Sequence, residues 1–312
     1  MPLSLAGKSL VSIADLTREE IYEVLRVAAA QKSGEIPKDE QLRIARGKTL
    51  AMLFDKPSLR TRVGFEVAMN QIGGHAIYVA PADIKLGLRE TVVDAARVFG
   101  RTLDAISARL SSDATIAELA QYAGIPVINA MSDREHPCQA LADMLTVIEH
   151  KRRIDGVEIA WIGDGYNVCH SLMLICALLG ANLRVATPFA YEPNADITEQ
   201  ARALAQPSGA TLTLGSDPHA AVNGADVIYT DVWVSAGQEE QATRRRRDFA
   251  AFQLNEGLVA EAAEDVIVMH CLPAHRGEEI TDEVLDGPHS VVLDQAENRL
   301  HTQRALLSLI LT

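Results

Sequence analysis

The chain is short of positive charge. Its 29 Lys and Arg face 42 Asp and Glu, a net charge of −13. That balance argues against a broad nucleic-acid surface or an anionic membrane as partner. It also means that any small anionic ligand needs a locally basic pocket. Cysteine is sparse too: Cys138, Cys169, Cys176 and Cys271, with no Cys-x-x-Cys pair among them. Scattered thiols in a chain of 312 residues read as reduced and intracellular, without a disulfide framework. No apolar run reaches membrane-spanning length. The opening residues, Met1 to Lys8, form no secretory h-region before Asp15, Arg18, Glu19 and Glu20. The expected location is therefore cytoplasmic. There is no tandem repeat and no low-complexity tract. What remains is an ordinary globular composition, 48% hydrophobic and 23% charged, long enough for two domains.

What is present is an alternation of strands and helices. Thr17 with Glu20 fits a capping box, followed by the apolar stripe Ile21, Val24, Leu25 and Ala28. Ser33 to Glu40 reads as a loop. Strands are expected at 49–54, 75–79, 103–109 and 126–130, with helices after the first, second, third and fourth. A charged break at His150 to Gly156 marks a boundary. The alternation restarts with strands at 157–162, 182–186, 211–214, 226–230, 265–270 and 290–294, and ends in a helix from about Ala296 to Leu311. This predicts an α/β fold of two domains, 1–150 and 151–295, each a mostly parallel sheet flanked by helices.

The most informative stretch is Asp55-Lys56-Pro57-Ser58-Leu59-Arg60-Thr61-Arg62, between the first strand and its helix. Ser58 can cap that helix and leave first-turn N–H groups aimed at an anion, which the helix dipole favours. Arg60 and Arg62 add forks suited to phosphate oxygens, and Ser58 and Thr61 add hydroxyl donors. The plain alternative is an ordinary capped helix with solvated arginines.

Other polar residues gather at strand C-terminal ends, where open parallel sheets bind ligands: Arg109, His136, Asn167, Asp231 and His270-Cys271. Gly163-Asp164-Gly165-Tyr166-Asn167-Val168 is half a dinucleotide fingerprint with valine at the third glycine position, so a tight turn competes with a nicotinamide site. His136 and Gln139 sit one turn apart at a helix start, within reach of one small carbonyl or amide. His270 to Gly277 lacks the ligand set of a zinc site. Cys271 is either a nucleophile or a packed thiol. Asp231 either accepts from an ammonium group or caps a loop. Arg244 to Arg247 read as a solvated loop face.

Together these motifs resemble the aspartate/ornithine carbamoyltransferase family, along the whole chain. Ser58 to Arg62 is similar to its carbamoyl-phosphate signature. His136-Pro137-Cys138-Gln139, Gly163 to Asn167, Asp231 to Gly237, His270-Cys271-Leu272-Pro273 and Glu297-Asn298-Arg299 follow in family order. Asp231 with Ser235, and His-Cys-Leu-Pro, point to ornithine as the acceptor. The resemblance implies a first domain for carbamoyl phosphate, a second for L-ornithine, and a C-terminal helix (296–312) returning to the first. It implies a homotrimer with shared sites, and no metal or organic cofactor. On this basis Ser58, Leu59, Arg60, Thr61, Arg62, Lys85, Arg109, His136, Gln139, Cys271, Leu272 and Arg299 meet carbamoyl phosphate. Asn167, Asp231, Ser235 and Ala236 meet ornithine, and Arg109, His136 and Cys271 are catalytic. Two positions depart from the family pattern: Ala236 replaces a usual methionine, and Lys85 replaces a glutamine that reaches a neighbouring copy's phosphate. No long proline-rich insertion follows Pro188, which favours free over acylated ornithine. Two alternatives stay open: transfer to another amine, and a dinucleotide-binding oxidoreductase.

Overall fold

The computed structural model describes residues 4–80, 86–87, 89–235 and 237–312. The chain forms two compact units. One holds residues through Leu145 together with Glu297–Thr312, and the other holds Thr146–Ala296.

In the first unit, helix α1 (Arg18–Ser33) starts as its sequence dictates: Thr17 accepts from the Glu20 N–H, and the Glu20 carboxylate takes the Thr17 N–H. A short α2 (Lys38–Ile44) follows where a loop was expected, beginning directly after Pro37. Four parallel strands follow: β1 (Thr49–Phe54), β2 (His75–Val79), β3 (Ala105–Arg109) and β4 (Val127–Met131), in the order β2-β1-β3-β4. Three helices alternate with them: α3 (Leu59–Gln71), α4 (Val92–Thr102) and α5 (Asp113–Tyr122). β1 is central and nearly all buried, whereas the edge strand β2 is half exposed. Leu53, Ile106, Ala108, Ile116, Leu119 and Val127 pack one side of the sheet. Each such burial contributes about 1.5–3 kcal/mol for the larger aliphatics. Chain order reverses between β1 and β3, which makes their C-terminal ends the expected ligand crevice. Helix α6 (Pro137–Lys151) leaves this unit.

In the second unit five parallel strands run β7-β6-β5-β8-β9. They are β5 (Glu158–Ile162), β6 (Asn182–Ala186), β7 (Leu212–Gly215), β8 (Val227–Thr230) and β9 (Ile267–His270). Here the order reverses between β5 and β8. Trp161 and Tyr229 are register partners across that pair, with ring centroids 4.9 Å apart edge to face, worth about 0.5–1.5 kcal/mol beyond area. The flanking helices are α7 (Asn167–Leu179), α8 (Ala195–Ser208), α9 (Pro218–Val222), α10 (Ala242–Asp248), α11 (Glu256–Val259) and α12 (Asp282–Leu285).

The strand expected at 290–294 is not formed. Ser290 makes a single bridge to Val268, and α13 (Val292–Ile310) begins at once. The reason lies in burial: Val292, Gln295, Asn298 and Arg299 are buried at helical spacing, while Leu293 is 75% exposed. α13 runs from the second unit into the first.

Candidate active site

In the first unit the end of β1 is tied to the end of β3. The Asp55 N–H donates to the Arg109 carbonyl at 3.0 Å, and Asp55 Oδ2 accepts from the Ser111 N–H at 2.6 Å. Ser58 then caps α3: its backbone is extended and its hydroxyl accepts from the Thr61 N–H. The first helical backbone bond of α3 is Arg62 N–H to Ser58 carbonyl, 3.3 Å, so the Leu59 and Arg60 amides lie ahead of the ladder. Thr61 is fully buried, and its hydroxyl oxygen accepts from Ser58 Oγ at 2.9 Å and from Arg299 Nη2 at 2.7 Å. The C-terminal helix α13 therefore supplies a guanidinium to the turn.

Arg109 ends β3 where the pairing with β4 slips by one residue, between Ala108 and Arg109. Such a bulge re-aims a side chain at a strand end. His136 precedes α6 and is buried. Burial above all, then the charges of Arg299, Arg109 and Arg60, hold its ring well below the ordinary histidine value of 6.5. His136 is therefore a neutral imidazole among three guanidinium groups. Gln139 is buried one turn into α6, and its Nε2 donates to Asp143 Oδ1 at 2.8 Å. Cys138 between them is packed: burial pushes its thiol up to about 12.

Arg62 goes elsewhere. Its side chain is half exposed, 2.9 Å from Glu66 and 4.1 Å above the Tyr78 ring. Lys85 lies outside the described residues.

In the second unit the turn after β5 explains its two glycines. Gly163 has φ +140°, which disfavours a side chain. At Gly165 a Cβ would sit 2.3 Å from the Pro193 backbone nitrogen, so the protein's own chain fills that space. The glycines serve turn and packing; the nicotinamide reading loses its cradle. Asn167 opens α7, buried, with its Oδ1 accepting from the Val168 N–H at 2.9 Å.

Asp231 follows β8. Its Oδ1 accepts from the Val232 N–H at 2.8 Å and from the Cys271 thiol at 2.9 Å. Burial raises its carboxyl above the usual range, opposed by His270 and the Cys271 bond and helped by Glu279. Cys271 is thus a hydrogen-bond donor to a carboxylate and is engaged as a thiol. Leu272, with φ +57°, donates its N–H to His270 Nδ1 at 2.9 Å. His270 Nε2 meets Glu279 at 2.9 Å, both side chains fully buried. Ser235 lies in a turn closed by Gln238, whose Oε1 accepts from its N–H at 3.1 Å. Ala236 lies outside the described residues.

Two groups of three donor atoms, each within 4.8 Å, occur among the described residues: Asp231 with His270 and Cys271, and His275 with Glu278 and Glu279. In the first, both His270 nitrogens and the Cys271 thiol are already spent on protein partners. That donor set suits a closed hydrogen-bond network better than a metal.

Sequence reading missed Asp164 and Arg245. Arg244 to Asp248 belong to helix α10, so the expected solvated loop face is corrected. Arg244, Arg246 and Arg247 do face solvent, but the Arg245 side chain is only 5% exposed and pairs with buried Asp164. It also donates to the Trp233 carbonyl and lies 4.7 Å above the Tyr191 ring. Burial, eased by Arg245 and reinforced by Asp231, raises Asp164 to about 7. The signal was available: Phe249, fully buried, stands four residues after Arg245 on one helical face.

Comparison with known proteins now adds to this geometry. The family description "Aspartate/ornithine carbamoyltransferase, carbamoyl-P binding domain" matches residues 8–149. The companion "Asp/Orn binding domain" matches residues 155–310. An ornithine carbamoyltransferase of Pyrococcus horikoshii is 52% identical over all of this chain and 98% of its own. The anabolic ornithine carbamoyltransferase of Pyrococcus furiosus is also 52% identical, with the same coverage. The solved structure of ornithine carbamoyltransferase from Pyrococcus furiosus superposes with a TM-score of 0.96 at 51% identity, over 99% of this chain and 98% of that one.

Proposed function

The chain belongs to the aspartate/ornithine carbamoyltransferase family, and from that premise we propose how its residues divide the work of one reaction. The reaction is transfer of the carbamoyl group of carbamoyl phosphate to the δ-amine of L-ornithine, giving L-citrulline and phosphate, a step of arginine synthesis. The δ-nitrogen lone pair forms the new C–N bond. The C–O bond to phosphate breaks with its electron pair on the departing oxygen, and the proton the amine loses ends on the released phosphate.

The first unit, 1–150 with the 296–312 helix, is assigned to carbamoyl phosphate. Ser58, the Leu59 and Arg60 amides, the Arg60 guanidinium and Thr61 take the phosphate. Arg109 and His136, with Thr61, polarise the carbonyl oxygen, a donor role worth about 3–4 kcal/mol each. The observation that carries this reading is the neutral His136 held among Arg60, Arg109 and Arg299. A cationic ring would add a fourth positive charge; a neutral one donates a hydrogen bond as the oxyanion grows. Gln139 and Arg299 hold the carbamoyl amide end, and Leu272 is added on the resemblance alone. Arg62 receives an outlying role, and Lys85 a role toward a neighbouring copy on the resemblance alone.

The second unit, 151–295, is assigned to ornithine. Asn167, Asp231 and Ser235 hold the α-carboxylate and α-ammonium, with Ala236 added on the resemblance alone. Cys271, through its bond to Asp231, orients the δ-amine. Catalysis is positioning and electrostatics, without a covalent intermediate. The attacking amine must be neutral, so the rate rises toward alkaline pH.

A homotrimer is part of the proposal. Leu59 (75% exposed) and Val63 (48%) give α3 an apolar outer face beside the phosphate turn. A cytoplasmic location is supported by four free cysteines, and no helix of the described residues is long and apolar enough to cross a membrane. Sedimentation measures the assembly. The activity is tested by supplying carbamoyl phosphate with ornithine, putrescine, N-acetylornithine or aspartate and measuring phosphate release and citrulline. Turnover with ornithine alone is expected; turnover only with another amine overturns the assignment.

A further inference from the structure

Gln139 and Asp143 are both fully buried on α6, one helical turn apart. The Gln139 amide donates through Nε2 to Asp143 Oδ1 at 2.8 Å. Its other end, Oε1, is buried and has no hydrogen-bond partner among the described residues. A buried amide oxygen left in that state is the exception in proteins and points to a missing donor. The Gln139 backbone N–H bonds to the His136 carbonyl at 3.0 Å, so this acceptor shares a turn with the ring held among three guanidinium groups.

A side-chain amide has two ends of nearly the same shape and opposite hydrogen-bonding sense. Asp143 resolves the choice. A carboxylate accepts and does not donate, so it draws the NH2 end to itself. The flipped amide would set two acceptors against each other in a buried site. We infer that Asp143 is a specificity-positioning residue, which fixes the Gln139 amide so that its oxygen selects a donor phosphate ending in NH2 over an isosteric acyl phosphate ending in CH3. The inference rests on the assignment of the α6 start to the carbamoyl group. A site with a buried acceptor rejects an analogue lacking the matching N–H far more strongly than an apolar pocket rejects a small change in size.

The test uses the full-length enzyme with carbamoyl phosphate as substrate, and acetyl phosphate and inorganic phosphate as competitive inhibitors. In the parent, the acetyl phosphate inhibition constant should exceed the carbamoyl phosphate KM by tenfold or more. In Asp143→Asn, which keeps the side-chain volume, the asparagine NH2 can face Gln139 Oε1 and let the amide turn. The ratio should then fall about tenfold through a raised carbamoyl phosphate KM. Inhibition by inorganic phosphate, which has no carbamoyl end, should stay unchanged. Asp143→Glu should restore part of the ratio. If Asp143→Asn does not fold, Asp143→Ser is read in the same way. An unchanged ratio in the folded variant overturns the inference, as does an equal loss of inorganic phosphate binding. A parent that does not discriminate overturns it together with the placement of Gln139, while citrulline formation separately reports whether the reaction itself stands.

Discussion

At the C-terminal end of the first sheet the neighbouring charges reinforce what burial does to a buried base, whereas at that of the second sheet the largest neighbouring charges oppose what burial does to two acids. In the first unit a histidine is the probe: burial, then Arg299, Arg109 and Arg60, suppress its protonation. In the second unit the probes are acids. Burial raises Asp164 against the pull of Arg245, with Asp231 adding a little; burial raises Asp231 against His270 and the Cys271 bond, with Glu279 adding a little. Both regions favour the neutral form of the buried group; only in the second do side-chain partners pull toward the charged one. The same fold, a parallel sheet with a chain reversal between two strands, matches a carbamoyl-P binding domain in one copy and an Asp/Orn binding domain in the other. Fold supplies the crevice; residue choice at the strand ends supplies the partners.

The comparison breaks first at Arg245. Replacing it with Leu strands the buried Asp164 carboxylate and should cost about 3–5 kcal/mol of stability, read by urea unfolding. The cost should grow as pH rises through about 7, where Asp164 ionises. The pair Asp164→Leu with Arg245→Met should recover most of it. Next is Arg109→Ala, expected to lower kcat by about 10²–10³ while ornithine binding holds. Wild-type turnover would remove the polarising role.

Asp231→Ala should weaken ornithine by roughly 10–100-fold, about 1.5–3 kcal/mol, with carbamoyl phosphate binding intact. Equal loss of both ligands would erase the division of labour between the units. A pH series sharpens the first unit's half of the comparison. The folded-state pKa of His136 is depressed, so its contribution to stability is present above about 6.5 and lost as pH falls below that value. His136→Gln should flatten that acid limb of the unfolding curve. The smallest effect belongs to Arg62→Ala: its partner Glu66 is also solvated, so under about 1 kcal/mol of stability and little change in KM are expected.

Legibility in the sequence followed chemistry that is local. The buried β1, the Ser58 cap and the glycine turn at 163–165 each announce themselves within a few residues, and so did the strand ends that bear Arg109, His136 and Asp231. Contacts distant in sequence stayed hidden. Four arginines in a row look solvated until helical register singles out Arg245. Asp143 reads as one more polar helix residue until Gln139 is seen beside it. Val291-Val292-Leu293 has strand composition, yet burial at helical spacing through Gln295 and Asn298 wins and starts α13 instead. The sequence reading also leaves the helix Ala195–Ser208 unassigned; its interior Pro207 lies in the last turn, ahead of Gly209 in the left-handed conformation.

The bond between Thr61 and Arg299 spans 238 residues, and it has a consequence in time. A ribosome adding about 5–20 residues per second makes the phosphate turn roughly 10–50 s before it makes the arginine that completes it. During that interval the nascent chain carries the signature without its last guanidinium. A polypeptide released before Arg299 leaves the Thr61 hydroxyl without that donor, so only chains translated past that helix carry the completed turn.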